Sequence, residues 1–491
     1  MKSPCLFLIR KIFFITLFLV ISGELKAQRD LPLRIELETT KKNAVYHLKS
    51  VENHGCFIFF KGQTISKDST TWLFTLLDTN LIKKKSFPIP LPSKIQYITS
   101  AYSDNVAWFL FQEQKNKKSP ITSYILSINL INASVNIEKN ALISDPNIYA
   151  MHQFENFLLF NTKKKDEEKI YVYHLFSKRF SEIETPSPIY SVEFQQIDTF
   201  NHRIFIGLQI STSRFMMLEL NKNGAVEQEL FFPKNNENSY HTARLAVADS
   251  LSTLIIGTYS INQGRTTNNF QSGIYTLLYK DDKFQQPIFY NFTQLETRDS
   301  SSKKNNKSLN LLLAVGDIAV DSKQEQFTLT GEVFNPEYRH STYNYFDDNL
   351  FYSPYSTTFI GYRYVNVYVT TFNKNGELLW HHYLPFENIL TQRVTVHVKV
   401  FYEGENAVIY YPFNSNLNFT RVHKYEVLDK MATIPIETLH YKDVIKYSQK
   451  LKIENWYQNN FLISGYQYIN NNSKAYKSKR FVFFINKLRY Q

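Results

Sequence analysis

Cysteine is almost missing from this 491-residue chain: only Cys5 and Cys56 occur. Cys5 lies ahead of an apolar N-terminal run, inside a segment read below as a cleaved signal, so a mature chain keeps Cys56 alone. One cysteine cannot form an internal disulfide, which excludes a disulfide-stapled scaffold even though export usually leads to an oxidising compartment. No cysteine closely follows the apolar run, so no lipoprotein anchor is expected. The neighbours of Cys56 in "GCFIFF" suggest a buried thiol packed as a small hydrophobe, and no nucleophile motif surrounds it. Long apolar runs are also lacking. "IFFITLFLVI", Ile12 to Ile21, falls well short of the roughly 20 residues a membrane helix needs. Glycine and proline are modest, at 14 and 16 residues, and helical 3.6-residue periodicity is nearly absent. No Gly-x-Ser-x-Gly, phosphate loop, dinucleotide glycine pattern or zinc helix is found, which lowers the expectation of an enzyme.

The N-terminus reads as an export signal. Lys2, Arg10 and Lys11 precede the apolar run, Ser22 and Gly23 end it, and Ala27 in "ELKAQ" is a suitable small residue for cleavage. A signal peptide over 1–27 is expected, with a retained anchor as the alternative. Cleavage there removes four basic residues (Lys2, Arg10, Lys11, Lys26) and one acidic residue (Glu24), taking the net charge from +12 to +9. That charge is scattered over short runs such as "KKK" at 83–85 and "SKKNNK" at 302–307. They read as solvated turns, and with neither a basic stripe nor a recognisable module, nucleic acid is not an expected partner.

What the chain has in quantity is aromatic and β-branched residues, with 40 phenylalanines and 33 tyrosines. They fall in short runs separated by polar turns, the pattern of an all-β protein. "VYHLKSV", "CFIFFKG", "TTWLFTLLD" and "LIKKKSFPI" make four strands between Val45 and Ile89, and similar groups follow from Tyr97, Ile148, Ser191, Ala243, Leu312 and Arg393. Two hairpins share Asn-Lys-Asn-Gly, at 221–224 and 373–376, where Asn-Gly supplies the positive φ angles of a tight turn. Four-stranded units at this spacing predict a β-propeller of seven to eight blades, with a β-sandwich array as the alternative. The last group has only three strands. "LPLRIELET" at 31–39 is expected to supply the fourth and so close the fold, which limits exposed edges. Residues 28–491 are read as one propeller domain, with "ETRDSSSKKNNKS" at 296–308 as a mobile connection inside it.

Few polar groups suggest chemistry. His381 and His382 are adjacent on a strand and so point to opposite faces, which argues against a shared metal. Asp347-Asp348 alone is a weak calcium signal. "KDEEK" at 165–169 and "YKDDK" at 279–283 read as solvated hairpin tips. No cofactor or metal is expected. Carboxylates from distant blades can still meet on a propeller's central face.

The segment Asn335–Tyr364 differs in kind. It holds seven tyrosines and three phenylalanines between two strands that other units join by much shorter links. Long insertions in compact domains are usually functional or disordered, and aromatic-rich composition argues against disorder. Tyrosine-rich loops suit recognition. Tyr338, Arg339, Tyr343, Tyr345, Tyr352, Tyr355, Tyr362, Arg363 and Tyr364 are therefore the candidate partner-binding residues. The alternative is a local cap whose rings are buried against the blade beneath.

"GEVFNPEY" (331–338), "GYRYVNVYVTTFNKNGELLW" (361–380) and the ending "GYQYI … RFVFFINKL" resemble a group of uncharacterised exported Bacteroidota proteins with propeller-like repeats. The resemblance implies an extracytoplasmic protein with an aromatic insertion, and it brings no catalytic residue or substrate. The expectation is an exported, non-catalytic module in the periplasm or at the outer-membrane face, binding an envelope protein or a glycan. A glycan-binding protein, or an enzyme acting on glycans or peptides in the axial channel, is the alternative.

Overall fold

The structure is a computed structural model that describes residues 33–39, 45–113, 121–140, 147–165, 167–261, 270–299, 310–341, 356–386, 389–440, 442–458, 460–473 and 479–489. Segment 1–27, where a signal peptide is expected, lies outside these residues. Among the described residues there are eight antiparallel sheets, the blades of a β-propeller. Six have four strands each, and the fifth and sixth have six because their first and last strands are each broken in two. Contacts group the chain into two compact units. One comprises Met1–Lys61, Leu73–Phe87 and Ile436–Gln491, and the other Gly62–Trp72 and Pro88–Pro435. Blades two to seven belong to the second unit, and the eighth belongs to the first.

The strand patterns follow from burial. The second strand of a blade is covered on both faces, so Val106–Glu113 and Arg203–Ser211 are almost continuously buried and read as unbroken apolar runs. The fourth strand lies outermost, and Val226–Phe231 is mostly exposed. Within the second unit, neighbouring sheets share their cores. Phe205, Phe215 and Met217 of blade four pack with Leu245, Ile255 and Tyr275 of blade five. Cys56 is buried as expected, and burial pushes its thiol pKa up.

The two Asn-Lys-Asn-Gly hairpins use a turn slightly different from the one expected. Only Gly224 and Gly376 take positive φ, at 78° and 80°. The ladder shifts beside each turn, between Glu219 and Leu220 and between Thr371 and Phe372. This is a turn closed by a glycine bulge. The first asparagine locks it, since Asn221 Oδ1 accepts the N–H groups of Asn223 and Ala225 at 2.9 and 3.1 Å, and Asn373 does the same. A short helix, Phe292–Asp299, occupies the start of the expected mobile connection. Asn291 Oδ1 accepts the Thr293 N–H at 2.8 Å, and Phe292 and Leu295 are buried. The remainder, 300–308, lies outside the described residues.

The eighth blade is completed by the other end of the chain, as the three-strand count predicts. Arg34–Glu38 pairs antiparallel with 482–486. Its charged side chains join a buried network. Arg34 donates to Glu36 Oε1 at 2.7 Å, to Asn486 Oδ1 at 2.7 Å and to Gln467 Oε1 at 2.8 Å. Arg480 bridges Glu36 Oε2 at 2.8 Å and both oxygens of Asp443. The Arg34, Arg480 and Asp443 side chains are only 0%, 5% and 0% exposed. Burial pushes the Asp443 carboxyl up, but bonds from Arg480, Asn471 and the His440 N–H outweigh it and hold its pKa below the ordinary value.

In the second unit, Glu332 of blade six holds the start of blade seven. Its Oε1 accepts the N–H groups of His397 and Val398 at 2.6 and 2.7 Å, and its Oε2 meets His397 Nδ1 at 2.8 Å. The side chain is fully buried.

Two outcomes follow for stability. Arg480→Met strands a buried carboxylate and is expected to cost roughly 3–5 kcal/mol in urea unfolding at pH 7. Because the folded pKa of Asp443 is depressed, the pair contributes fully above the ordinary value of 3.8 and is lost as the pH falls below it. The gap between wild type and variant should therefore narrow below about pH 4, and a constant gap contradicts this assignment. Glu332→Ala orphans two backbone N–H groups and should cost roughly 2–5 kcal/mol, against about half as much for Glu332→Gln, which keeps one acceptor.

Candidate functional site

In a four-stranded meander the first-to-second and third-to-fourth turns lie at one end, and the second-to-third turns and blade-to-blade connections at the other. In the second unit the first set is short: Ser103 is followed by a strand at Val106, Phe154 by Phe157, and Glu403 by Asn406. The long links all belong to the second set, joining Glu113 to Thr122, Ile261 to Gly273 and Ser341 to Ser356. Large extensions are thus confined to one end of these blades, where function is most easily grafted onto a rigid scaffold.

That end carries a cavity of about 320 Å³ among the first strands of blades three to six, lined by Tyr149, Glu193, Gln195, Arg244 and Asp317 among others. In a propeller these strands border the central channel. Two of its charged groups, Glu193 and Arg244, are already engaged. Glu193 Oε2 meets the Ala243 N–H at 3.3 Å and Arg244 at 3.4 Å, while Arg244 also donates to the carbonyls of Glu193, Ala243 and Val315. Asp317 is exposed and lies 4.0 Å from Arg244 and 3.5 Å from Lys399. Glu168 borders the cavity from below. It accepts the Tyr149 hydroxyl at 2.6 Å, the Val192 N–H at 2.8 Å and Lys163 at 3.1 Å. Burial and the Glu168 carboxylate push the Tyr149 phenol pKa up.

Glu168 corrects one sequence reading. "KDEEK" was expected to be a solvated tip, and Lys165 and Glu167 are exposed, but Glu168 is only 6% exposed and ties blade three to blade four. Strand alternation places it inward. The tip of "YKDDK" is exposed as expected. His381 and His382 are both buried, and His382 Nε2 lies 2.6 Å from the Lys424 carbonyl oxygen, so its ring is committed to packing and a backbone bond. Asp347-Asp348 lies outside the described residues.

The aromatic segment is the continuation of two strands. Gln326–Ser341 and Ser356–Asn373 run on as a two-stranded ribbon with bulges at Val333/Phe334 and Glu337/Tyr338. A string of rings runs along it. Tyr338 meets Phe359 at 5.6 Å, Phe359 meets Tyr362 at 5.0 Å, Tyr362 meets Phe334 at 5.4 Å and Phe334 meets Tyr364 at 5.7 Å. The string changes character along its length. Tyr364 is fully buried, and its hydroxyl donates to the Thr395 carbonyl and accepts the Thr395 N–H, both at 2.8 Å. Tyr362 is half-buried, whereas Tyr338 and Phe359 are 49% and 39% exposed. Gly361, at φ 147°, lets the strand Leu390–Thr391 close on the ribbon's base, where a Cβ would sit 2.5 Å from the Thr391 carbonyl oxygen.

Of the nine candidate residues, Tyr364 therefore anchors the ribbon, and Arg363 is held across it in a two-pronged pair with Glu337. Tyr338 and Arg339 are exposed. Tyr343, Tyr345, Tyr352 and Tyr355 lie outside the described residues. Phe359 belongs with Tyr338 and was missed by counting tyrosines; its place opposite Tyr338 in the ladder is the signal. Pro336 and the two bulges blunt the ribbon's edge against strand addition, so its exposed feature is the ring-bearing face.

Among the described residues no helix is long and apolar enough to cross a membrane. No family model and no curated protein matches the sequence. Solved structures similar in fold include the β-propeller domain of the trilobed protease from Pyrococcus furiosus, at 9% identity over 81% of this chain and 95% of that one with a TM-score of 0.37. Polysaccharide lyase Uly1 matches at 8% identity over 80% and 90%, with a TM-score of 0.43. The Dos1 propeller matches at 8% identity over 80% and 92%, with a TM-score of 0.40. These likenesses concern the fold and extend to no reaction or ligand of this chain.

Proposed function

We propose that this protein is an exported, non-catalytic β-propeller that binds an envelope protein through the ribbon of blade six. One observation carries the reading: Tyr338 and Phe359 are held exposed on a ribbon whose base is fixed by the buried Tyr364. Large rings on a pre-ordered support give contact area at low entropic cost, which is how binding hot spots are built. Arg339 beside them has no ion pair among the described residues and is available to a carboxylate of the partner. Two of the three channel-side carboxylates, Asp317 being exposed, support binding over catalysis. Glu168 and Glu193 spend their oxygens on backbone N–H groups and on neighbouring side chains, whereas a general acid or base needs a carboxyl group open to substrate. The N-terminal signal pattern and the resemblance to exported proteins support an envelope location.

The test is affinity capture from the native envelope fraction with the wild-type chain and with a Tyr338→Ser/Phe359→Ser double variant. Both sites are exposed, so the thermal midpoint should move little. The expected result is a partner retained by the wild type and depleted about tenfold or more by the variant, since two hot-spot truncations cost at least ~1.4 kcal/mol. An identical set of captured proteins, from a variant with an unchanged melting curve, overturns the reading.

A further inference from the structure

A second groove lies at the same end of the blades as the ribbon, where blade four hands over to blade five. It has a volume of about 590 Å³, inside the range of small-ligand sites at about 300–1,000 Å³. Its floor is rigid. Phe232 stacks on Phe215 at 5.7 Å and meets Tyr240 at 5.6 Å, and all three are buried. The Tyr240 hydroxyl donates to the Pro233 carbonyl at 2.8 Å. Asn235 Oδ1 accepts the N–H groups of Glu237 and Asn238 at 2.9 and 2.8 Å, which fixes the connecting turn. The rim is different. Phe231 is 41% exposed, and the Arg214 guanidinium lies over its ring at 4.4 Å.

The charges in this wall are of one sign. Arg214 and Lys234 line the groove and no carboxylate does; Glu237 sits in the same turn but not in the lining. Neither cation has an ion-pair partner among the described residues, unlike Arg244 at the channel-side cavity. The remaining polar liners are amides and hydroxyls; Asn235 Oδ1 is spent on the turn, which leaves its NH2 group and the whole amide of Asn238. A planar amide offers a donor and an acceptor side by side, which matches neighbouring hydroxyls on a sugar ring. Phe231, still 41% exposed with Arg214 over one face, offers its remaining surface to the apolar face of such a ring. An arginine beside it supplies a two-pronged partner for a carboxylate.

We infer that this groove is a binding site for an acidic oligosaccharide, a chain bearing uronic acids, with a sugar ring against Phe231 and its carboxylate on Arg214 and Lys234. An acidic peptide would satisfy the cations but has no ring face for Phe231 and no hydroxyl pairs for the amides. The site is separate from the ribbon and stands or falls independently of it.

Calorimetric titration of the purified full chain with tetragalacturonate, with its methyl ester and with tetraglutamate tests the inference. Tetragalacturonate is expected to bind, with an affinity that falls as salt is raised. The methyl ester and tetraglutamate should each bind about tenfold or more weakly. Arg214→Gln and Phe231→Ala should each weaken tetragalacturonate about tenfold or more. Both side chains are at the rim, so an unchanged melting curve shows that folding is not the cause, and Tyr338→Ser/Phe359→Ser should leave the affinity unaltered. No binding of tetragalacturonate overturns the inference. So does equal affinity for the ester or for tetraglutamate, and so does indifference to both groove substitutions.

Discussion

The return of residues 34–38 to the last blade is the constraint on which the fold most depends. Without that strand the blade has three strands and an open edge, and a buried charge network loses its centre. Glu36 stands between Arg34 and Arg480, and Arg480 in turn holds Asp443. Burying so many ionised groups is favourable only when each is paired and hydrogen-bonded, so the network tolerates essentially one register. A slip of one residue would turn Arg34 and Glu36 to the opposite face of the sheet. With a single free thiol in the described chain, hydrogen-bonded charge rather than a disulfide holds the closing strand in place.

Within the second unit the same device recurs on a smaller scale. Glu168, Glu193 and Glu332 each accept backbone N–H groups in or directly ahead of a first-strand segment of the following blade. Those N–H groups lie at a strand start or break, and a neighbouring carboxylate satisfies them at little geometric cost. The consequence for function is direct. Glu168 and Glu193, which hold blades together, have their oxygens occupied by neighbouring groups, whereas Asp317 in the same wall stays exposed. The parts left to vary are the second-to-third links and the connections between blades. The ribbon and the aromatic groove both lie there, one with exposed rings beside Arg339 and the other with two cations, without an ion pair among the described residues, beside a ring.

Much of the architecture is legible in the residues. Unbroken apolar runs mark second strands because both of their faces are covered, and the three-strand final group requires a strand from elsewhere. The misreadings share one origin, since they concern residues whose environment comes from another blade. Glu168 lies in a run of charges that reads as solvent-facing, yet a strand from blade four closes over it. The helix Phe292–Asp299 is carried by Phe292 and Leu295 against a core assembled from two sheets, with Asn291 at its start as the one local sign. Tyr364 looks like its neighbouring tyrosines in the sequence, but Thr395, 31 residues on, fixes its hydroxyl.

The sequence by itself determined the class of fold, the strand periodicity, the pairing of the chain ends and the position of an unusual aromatic stretch. Those properties follow from local alternation and from counting strands, which depend on near neighbours. Only the tertiary structure decided which rings are anchors and which are exposed, which carboxylates are spent on holding blades together, and that Arg214, Phe231, Lys234 and Asn238 face one groove. Burial and charge pairing are set by residues brought together from separate blades, and sequence spacing carries no measure of either.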